Sequence, residues 1–494
     1  MLPALLAGVC MVSGQNLSDF EKRVTEFTLA NGMQFIVLER HEAPVASFHA
    51  HVDTGAVNDP GGKTGLAHMF EHMIGKGTES VGTKNWSLER KALSEIEQIY
   101  DRLEAERRRG ERADKAKVDA LEKQLQAAIQ KAAALVEPNR YVQLIEENGG
   151  TGFNAGTSSD YTIYHYSLPA NRSELWFLLQ SEWFRQPVYR EFYKERDVVL
   201  EERRMRVESS PQGKLQEMLL ATAFTAHPYR TLVGWASDIS NLRATDADEF
   251  FKSHYAPSNI TVAIAGDVKP AEMRKLAEKY FGPIAARPPA EQVTTVEPAQ
   301  EGEKRVTVES PSQPFLFIAF KRPDQHHADD PVFDVLSGLL SSGRTGILYK
   351  DLVRDSRVSL AAGAVATLPS GKYPNLFTLY SVPAVGHTVA ENEKAIEESL
   401  EKLKKEPVDA AALQRVKTKL RASVIRQLDS NPGLAEQLAF YHVNYGSWKK
   451  LFMGIEEIDK VTVSDVQRVA KTYLISKTRT VAHTVNPAAQ EKAQ

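Results

Sequence analysis

The chain has 494 residues, 42% hydrophobic and 25% charged, with a formal net charge of -3. Its length exceeds one ordinary core and implies two or more domains, and its composition excludes collagen-like, rod-like and disordered classes. The charge offers no basic field for nucleic acid, and the single cysteine, Cys10, excludes an intrachain disulfide and a cysteine zinc cluster, so any metal site must use His, Asp or Glu.

Residues 1 to 14, MLPALLAGVCMVSG, are apolar, uncharged and end in small residues. They resemble the hydrophobic and cleavage regions of a secretory signal peptide, so residues 1–20 read as a leader and the chain as exported, periplasmic or secreted. The usual basic start is absent, so a buried or disordered N-terminus, and a cytoplasmic or organellar location, stay open. The stretch is too short to span a bilayer, and no other candidate span follows in the mature chain.

Residues 24 to 41 predict a hairpin, with Asn31-Gly32 as the turn before Phe35, Ile36, Val37 and Leu38. Val45 to Val52 predicts a strand, Gly55 to Gly65 a loop, and Ala67 to Ile74 a helix. Residues 87 to 138 change character: Ala92, Ile96, Ile99, Leu103 and then Val118, Leu121, Leu125, Ile129, Ala132 fall at helical spacing around Gly110. They predict an antiparallel helical hairpin, either a solvated decoration or a docking arm.

Tyr161 to Leu168 predicts a strand, followed by helices near 171–185 and 191–208, a strand at Asn259 to Ala265 and a helix at Ala271 to Tyr280. Residues 283–304 hold four prolines and few apolar side chains and mark a linker. Beyond it, Phe315 to Phe320 and Leu376 to Val382 predict strands, and Pro331 to Leu340, Ile347 to Leu352, Glu391 to Lys404 and Ala410 to Leu428 predict helices. Thr245-Asp246, Tyr255 and the strand at Ile260 to Ile264 resemble Ser464-Asp465, Tyr473 and the strand at Thr480 to Val485, a weak internal repeat. The resulting fold class is α+β, with two similar domains at 21–282 and 305–494. Each is an antiparallel sheet with helices on one side, and the hairpin at 87–138 is inserted in the first.

The chemistry lies in Gly65-Leu66-Ala67-His68-Met69-Phe70-Glu71-His72, an H-x-x-E-H pattern. On a helix His68 and His72 share a face one turn apart and can meet one metal ion, while Glu71 borders that face as a base for water at an open metal position. The pattern reverses H-E-x-x-H and does the same work. Glu195-Arg196-Asp197-Val198-Val199-Leu200-Glu201-Glu202 supplies two carboxylates, Glu195 and Glu202, two turns apart on one face. They suit one ligand and one supporting partner, or else a solvated acidic helix.

With these motifs the chain resembles the pitrilysin or insulinase family of metallopeptidases, which includes mitochondrial processing peptidase. The resemblance runs from about residue 24 to 487 and is strongest from Gly61 to Thr78. Gly150 to Tyr164, Glu195 to Glu202, His227-Pro228-Tyr229 and Asn259 to Asp267 add to it. It implies one Zn²⁺ per chain on His68, His72 and Glu202, Glu71 as the catalytic base and Glu195 as the catalytically supportive carboxylate. It also implies that Asn154-Ala155 lies on a sheet edge that pairs with the substrate. His72 and Glu202 stand 130 positions apart, and removing the 52-residue hairpin leaves 78, near the family spacing.

The implied activity is zinc-dependent endopeptidase, or the catalytic subunit of a two-chain peptidase, acting on peptides or unfolded polypeptides in a closed chamber. The alternative is a non-catalytic binding or assembly subunit on the same fold. One departure bears on partners. The family's Arg and Tyr seven apart in the C-terminal half correspond to Val353 and Leu360, which cannot replace them. A related second subunit supplying that Arg–Tyr pair is therefore expected, with a homodimer as the other possibility.

Overall fold

The computed structural model describes residues 20–487, so the leader read at 1–20, Cys10 included, lies outside the described residues but for Phe20. Strands β1 (Val24–Thr28) and β2 (Gln34–Glu39) form the expected hairpin, and β3 (Val45–Val52) follows. Helix α1 (Leu66–Glu71) precedes the inserted pair α2 (Trp86–Arg107) and α3 (Lys115–Ala133). Next come α4 (Arg140–Glu147), β4 (Thr151–Thr157), β5 (Thr162–Pro169), α5 (Ser173–Arg185), α6 (Phe192–Arg203) and α7 (Pro211–Ala223). Helices α8 (Ala236–Asn241) and α9 (Ala244–His254), β6 (Ile260–Gly266) and α10 (Pro270–Tyr280) complete the first half. Residues 285–303 hold no helix or strand.

The second half runs β7 (Lys304–Glu309), β8 (Leu316–Arg322), α11 (Asp330–Ser341), β9 (Ser359–Leu368), β10 (Asn375–Pro383), α12 (Val389–Lys405) and α13 (Ala410–Gln427). It ends with α14 (Asn431–Tyr445), α15 (Lys450–Lys460), α16 (Val463–Tyr473) and β11 (Arg479–Val485). The segment expected as a helix at Ile347 to Leu352 is a π-helical turn at Tyr349–Asp355. Among the described residues no helix is long and apolar enough to cross a membrane.

The fold is α+β with two similar sheets. Their orders are β1-β2-β6-β3-β5-β4 and β7-β11-β8-β10-β9. Without β1, the two orders superpose strand for strand. The weak internal repeat thus corresponds to a real one: Asp246 and Asp465 each accept from the backbone amide three residues earlier, at the start of the helix before β6 and β11. Each sheet differs from the expected pure antiparallel pattern by one parallel pair, β2 with β6 and β7 with β11, because the last strand of each half inserts beside the first.

A second difference concerns the sheet faces. Phe35, Val37, Val262 and Ile264 point into the large first core, while their neighbours Ile36, Leu38, Ala263 and Ala265 point the other way. That second face is covered by α14 from the other half, through Leu434, Ala435, Leu438 and Ala439. Reciprocally, α7 covers the second sheet, with Leu215, Leu219 and Leu220 against Phe317, Ala319 and Ala482. Helices therefore pack on both sides, and each half lends one to the other. A fully buried Leu contributes about 1.5–3 kcal/mol, so this exchange fixes the halves to each other.

The inserted hairpin is not a loose decoration. Ala92, Ile96, Ile99, Tyr100 and Leu103 belong to the first core itself. A bridge between Thr83 and Val136 returns the chain to its starting point, which keeps α1 and α6 side by side despite their separation in sequence.

Candidate metal centre

Helix α1 is short and held at its start by groups outside it. Gly65 has φ 89°, and a Cβ there would lie 2.8 Å from Ile239 Cγ1 and 2.9 Å from the Val233 carbonyl oxygen, so glycine is required. No side chain of the helix caps it. Instead the Asp59 carboxylate accepts hydrogen bonds from the Gly65 and Ala67 amides at 2.7 and 2.8 Å. Leu66, Ala67, Met69 and Phe70 are buried, which leaves His68, Glu71 and His72 on the open side. The regular helix ends at Glu71, with His72 as its C-cap.

Three ligand atoms converge. His68 Nε2 and His72 Nε2 are 3.3 Å apart, and Glu202 Oε2 lies 3.7 Å from the first and 3.4 Å from the second. Zn²⁺ bonds of about 2.0–2.2 Å to N and O in tetrahedral geometry require ligand atoms about 3.3–3.6 Å apart, so the spacing fits the ion. His72 Nδ1 lies 2.9 Å from Glu195 Oε1, to which it donates, so Nε2 is the ring atom that faces the other two ligand atoms. Burial, helped by His72 and Arg206, pushes His68 down to about 3, so its imidazole is neutral. Burial also opposes charge on His72, but Glu195, Glu71 and Glu202 outweigh it and its pKa is raised. No other trio of His, Cys, Asp and Glu among the described residues meets in this way.

Glu195 is mostly buried and paired twice. Its Oε2 lies 2.5 Å from Lys76 Nζ, and although burial works against it, the hydrogen bonds from His72 and Lys76 hold it down to about 2. Glu202 Oε1 is 2.7 Å from Arg206. Glu71 is half-buried; burial raises its pKa, with Thr157 and His72 pulling the other way. Thr157 ends β4, which has a neighbour on one side only. Asn154 and Ala155 pair with His165 and Tyr164 of β5, Asn154 exposed and Ala155 half-buried, and among the described residues no strand pairs with the other edge.

The structure thus gathers His68, Glu71, His72, Glu195 and Glu202 into one centre beside the edge strand of Asn154 and Ala155. Val353 sits in the π-helical turn and Leu360 is exposed on β9, both without a polar side-chain group. Sequence reasoning missed Lys76, Arg206 and Asp59. Arg206 stands four residues after Glu202 on a continuous helical run, so helical spacing could have found it. Lys76 lies past the end of α1 and pairs with Glu195, and Asp59 caps across a loop, so neither leaves such a signal.

The chain is similar to known proteins over most of its length. Residues 127–233 match the model described as Insulinase (Peptidase family M16), and residues 241–420 match Peptidase M16 inactive domain, together more than half of the chain. The chain is 26% identical over 459 residues to the zinc protease PqqE of Helicobacter pylori, covering 90% of this chain and 89% of that protein. A protease from Helicobacter pylori superposes with a TM-score of 0.77 at 24% identity, over 94% of this chain and 99% of that one. The periplasmic protease PqqL of Escherichia coli superposes with a TM-score of 0.69 at 15% identity, over 95% of this chain and 48% of that one, so this chain spans about half of its length.

Proposed function

This chain belongs to the insulinase family, peptidase M16, and on that premise we propose that it is a zinc-dependent endopeptidase, or the catalytic subunit of a two-chain one, acting on peptides or unfolded polypeptides. The observation that carries the reading is the convergence of His68 Nε2, His72 Nε2 and Glu202 Oε2 next to the raised carboxyl of Glu71. Zn²⁺ held by these three atoms would supply Lewis acidity toward a carbonyl oxygen and make nearby water more acidic.

The protein's own groups do the rest. Glu195 fixes the His72 tautomer through Nδ1 and so keeps Nε2 available. The free edge of β4 offers amide and carbonyl groups that pair with any extended peptide and lay it beside α1. Glu71, its pKa raised by burial, takes a proton from the attacking water and returns it to the leaving amine. The domain limits are taken at 21–282 and 305–494, and export to the periplasm or medium is part of the proposal, supported by the apolar residues 1–14.

A second reading, a binding or assembly subunit without turnover, draws on Val353 and Leu360, where the resemblance implies an Arg and a Tyr. Within the first reading the same residues imply a related partner chain that donates the pair. The test is hydrolysis of an unstructured peptide library by the wild type and by Glu71→Gln, each with zinc measured. The catalytic reading expects equal zinc and a drop of about 10²–10⁴ in rate for the variant. A variant as fast as the wild type removes Glu71 as the base, and a zinc-loaded wild type inert alone and with every related chain supports the binding subunit.

A further inference from the structure

The buried groups around the inserted hairpin form a chain of contacts that ends at the metal ligands. Arg190 is 1% exposed and Glu89, on the first hairpin helix, is 0% exposed. Arg190 Nε donates to Glu89 Oε1 at 2.5 Å and Nη2 to Oε2 at 3.0 Å, a two-point pair. The remaining donors reach the loop after α1: Nη1 to the Lys76 and Val81 carbonyls at 2.5 and 3.2 Å, and Nη2 to the Thr78 carbonyl at 3.1 Å. One guanidinium thus serves three carbonyls of that loop, of which Val81 also accepts from the Thr78 amide at 2.9 Å. The side chain of its first residue, Lys76, turns the opposite way to Glu195 Oε2 at 2.5 Å, and Glu195 Oε1 accepts from His72 at 2.9 Å.

The same hairpin helix touches α6 on both sides of Glu195. Tyr193 OH donates to Glu97 Oε1 at 2.7 Å, and Arg196 Nη1 donates to Tyr100 OH at 3.1 Å. A fully buried ion pair is poor value as a stabiliser, because the desolvation of two charges offsets their attraction and an apolar pair of similar size often does as well. What the pair uniquely provides here is direction: it orients loop carbonyls, and an apolar pair would orient none.

We propose that Glu89 and Arg190 are positioning residues for the metal centre, through which the inserted hairpin holds Lys76 and Glu195 against His72. This rests on the zinc reading of His68, His72 and Glu202. Removing the direct carboxylate partner of a metal-bound His costs about 10–100-fold in metal affinity. Glu89 acts through two intervening residues, Arg190 and Lys76, so Glu89→Gln is expected to speed zinc release by about 3–10-fold, short of that range.

The experiment follows transfer of zinc from the loaded full chain to a chromophoric chelator, in conditions where circular dichroism shows every variant folded. Glu89→Gln releases zinc faster than wild type, whereas Glu122→Gln, which breaks the exposed pair with Arg107 elsewhere on the hairpin, does not. In a Lys76→Met background Glu89→Gln adds nothing, because the path to Glu195 is already cut; a generally loosened fold would instead add its effect in full. Should Glu89→Gln fail to fold, Glu89→Leu with Arg190→Met removes both charges and carries the same test. Wild-type release rates in the folded variants, or additive effects with Lys76→Met, overturn the inference while leaving the zinc reading intact. A wild-type chain that binds no zinc overturns both.

Discussion

Replacing Glu195 with Gln keeps the shape of the side chain and removes one charge from a well-defined place. Glu195 is 9% exposed, its Oε1 is 2.9 Å from His72 Nδ1 and its Oε2 is 2.5 Å from Lys76 Nζ. The Gln carbonyl can still accept from Nδ1, but its amide then faces the Lys76 ammonium, donor against donor. His72 loses the anion that makes its Nε2 a stronger ligand. Loss of such a partner weakens metal affinity about 10–100-fold, or about 1.4–2.8 kcal/mol. The metal-free fold loses about 1.5–3 kcal/mol for the charged hydrogen bonds, less whatever Lys76 recovers from Glu191, 3.7 Å away. Competition of the apo chain against a chromophoric zinc chelator gives the affinity, and thermal melting of the apo chain gives the stability. A zinc dissociation constant within about twofold of wild type would show that Glu195 does not orient His72, since the expected change is at least tenfold.

His51 gives a prediction away from the metal. It is buried beside Tyr161 and Phe440, and burial, with the Lys372 charge, pushes its pKa down to about 3. Below pH 6.5 the unfolded chain binds a proton that the folded one refuses, so its full contribution holds above pH 6.5 and is lost as pH falls toward 3. The loss is at most about 1.4 kcal/mol per pH unit. His51→Phe should therefore shrink the fall in melting temperature between pH 7 and pH 5, and an unchanged fall refutes the assignment. For the missing pair, Val353→Arg with Leu360→Tyr should raise peptide turnover at least about tenfold in a self-associating, zinc-loaded preparation, as part of the 10²–10³ that a positioned oxyanion donor supplies. No gain in such a preparation removes the donor argument.

Strong periodicity was legible. Phe35 to Leu38, Val45 to Val52 and the two hairpin helices lie where apolar spacing put them, and Ala92, Ile96, Ile99 and Leu103 are the buried face as expected. Strands β4, TGFNAGT, and β9, SLAAGAVATL, were harder, since Gly and Ala carry little strand preference and the ladders are made by β5 and β10. The exchange of α7 and α14 was invisible because both of their partners lie in the opposite half of the sequence. At the centre, His68, Glu71 and His72 follow from one helical turn. Glu195 and Glu202 needed the second motif and the resemblance, because nothing local says which helix faces α1. The Glu89–Arg190 pair spans 101 positions between unrelated segments, so only the folded chain reveals it.

Zinc counted per chain tests the account most directly. Wild type and Glu202→Gln are purified identically, dialysed against metal-free buffer, checked for folding and analysed for elements. Glu202 Oε2 lies within 3.7 Å of both imidazole Nε2 atoms and supplies the only anionic ligand atom of the trio, so its loss should be severe. One zinc per wild-type chain and little in the folded variant is the predicted result. Equal zinc in the two, or none in the wild type, contradicts it.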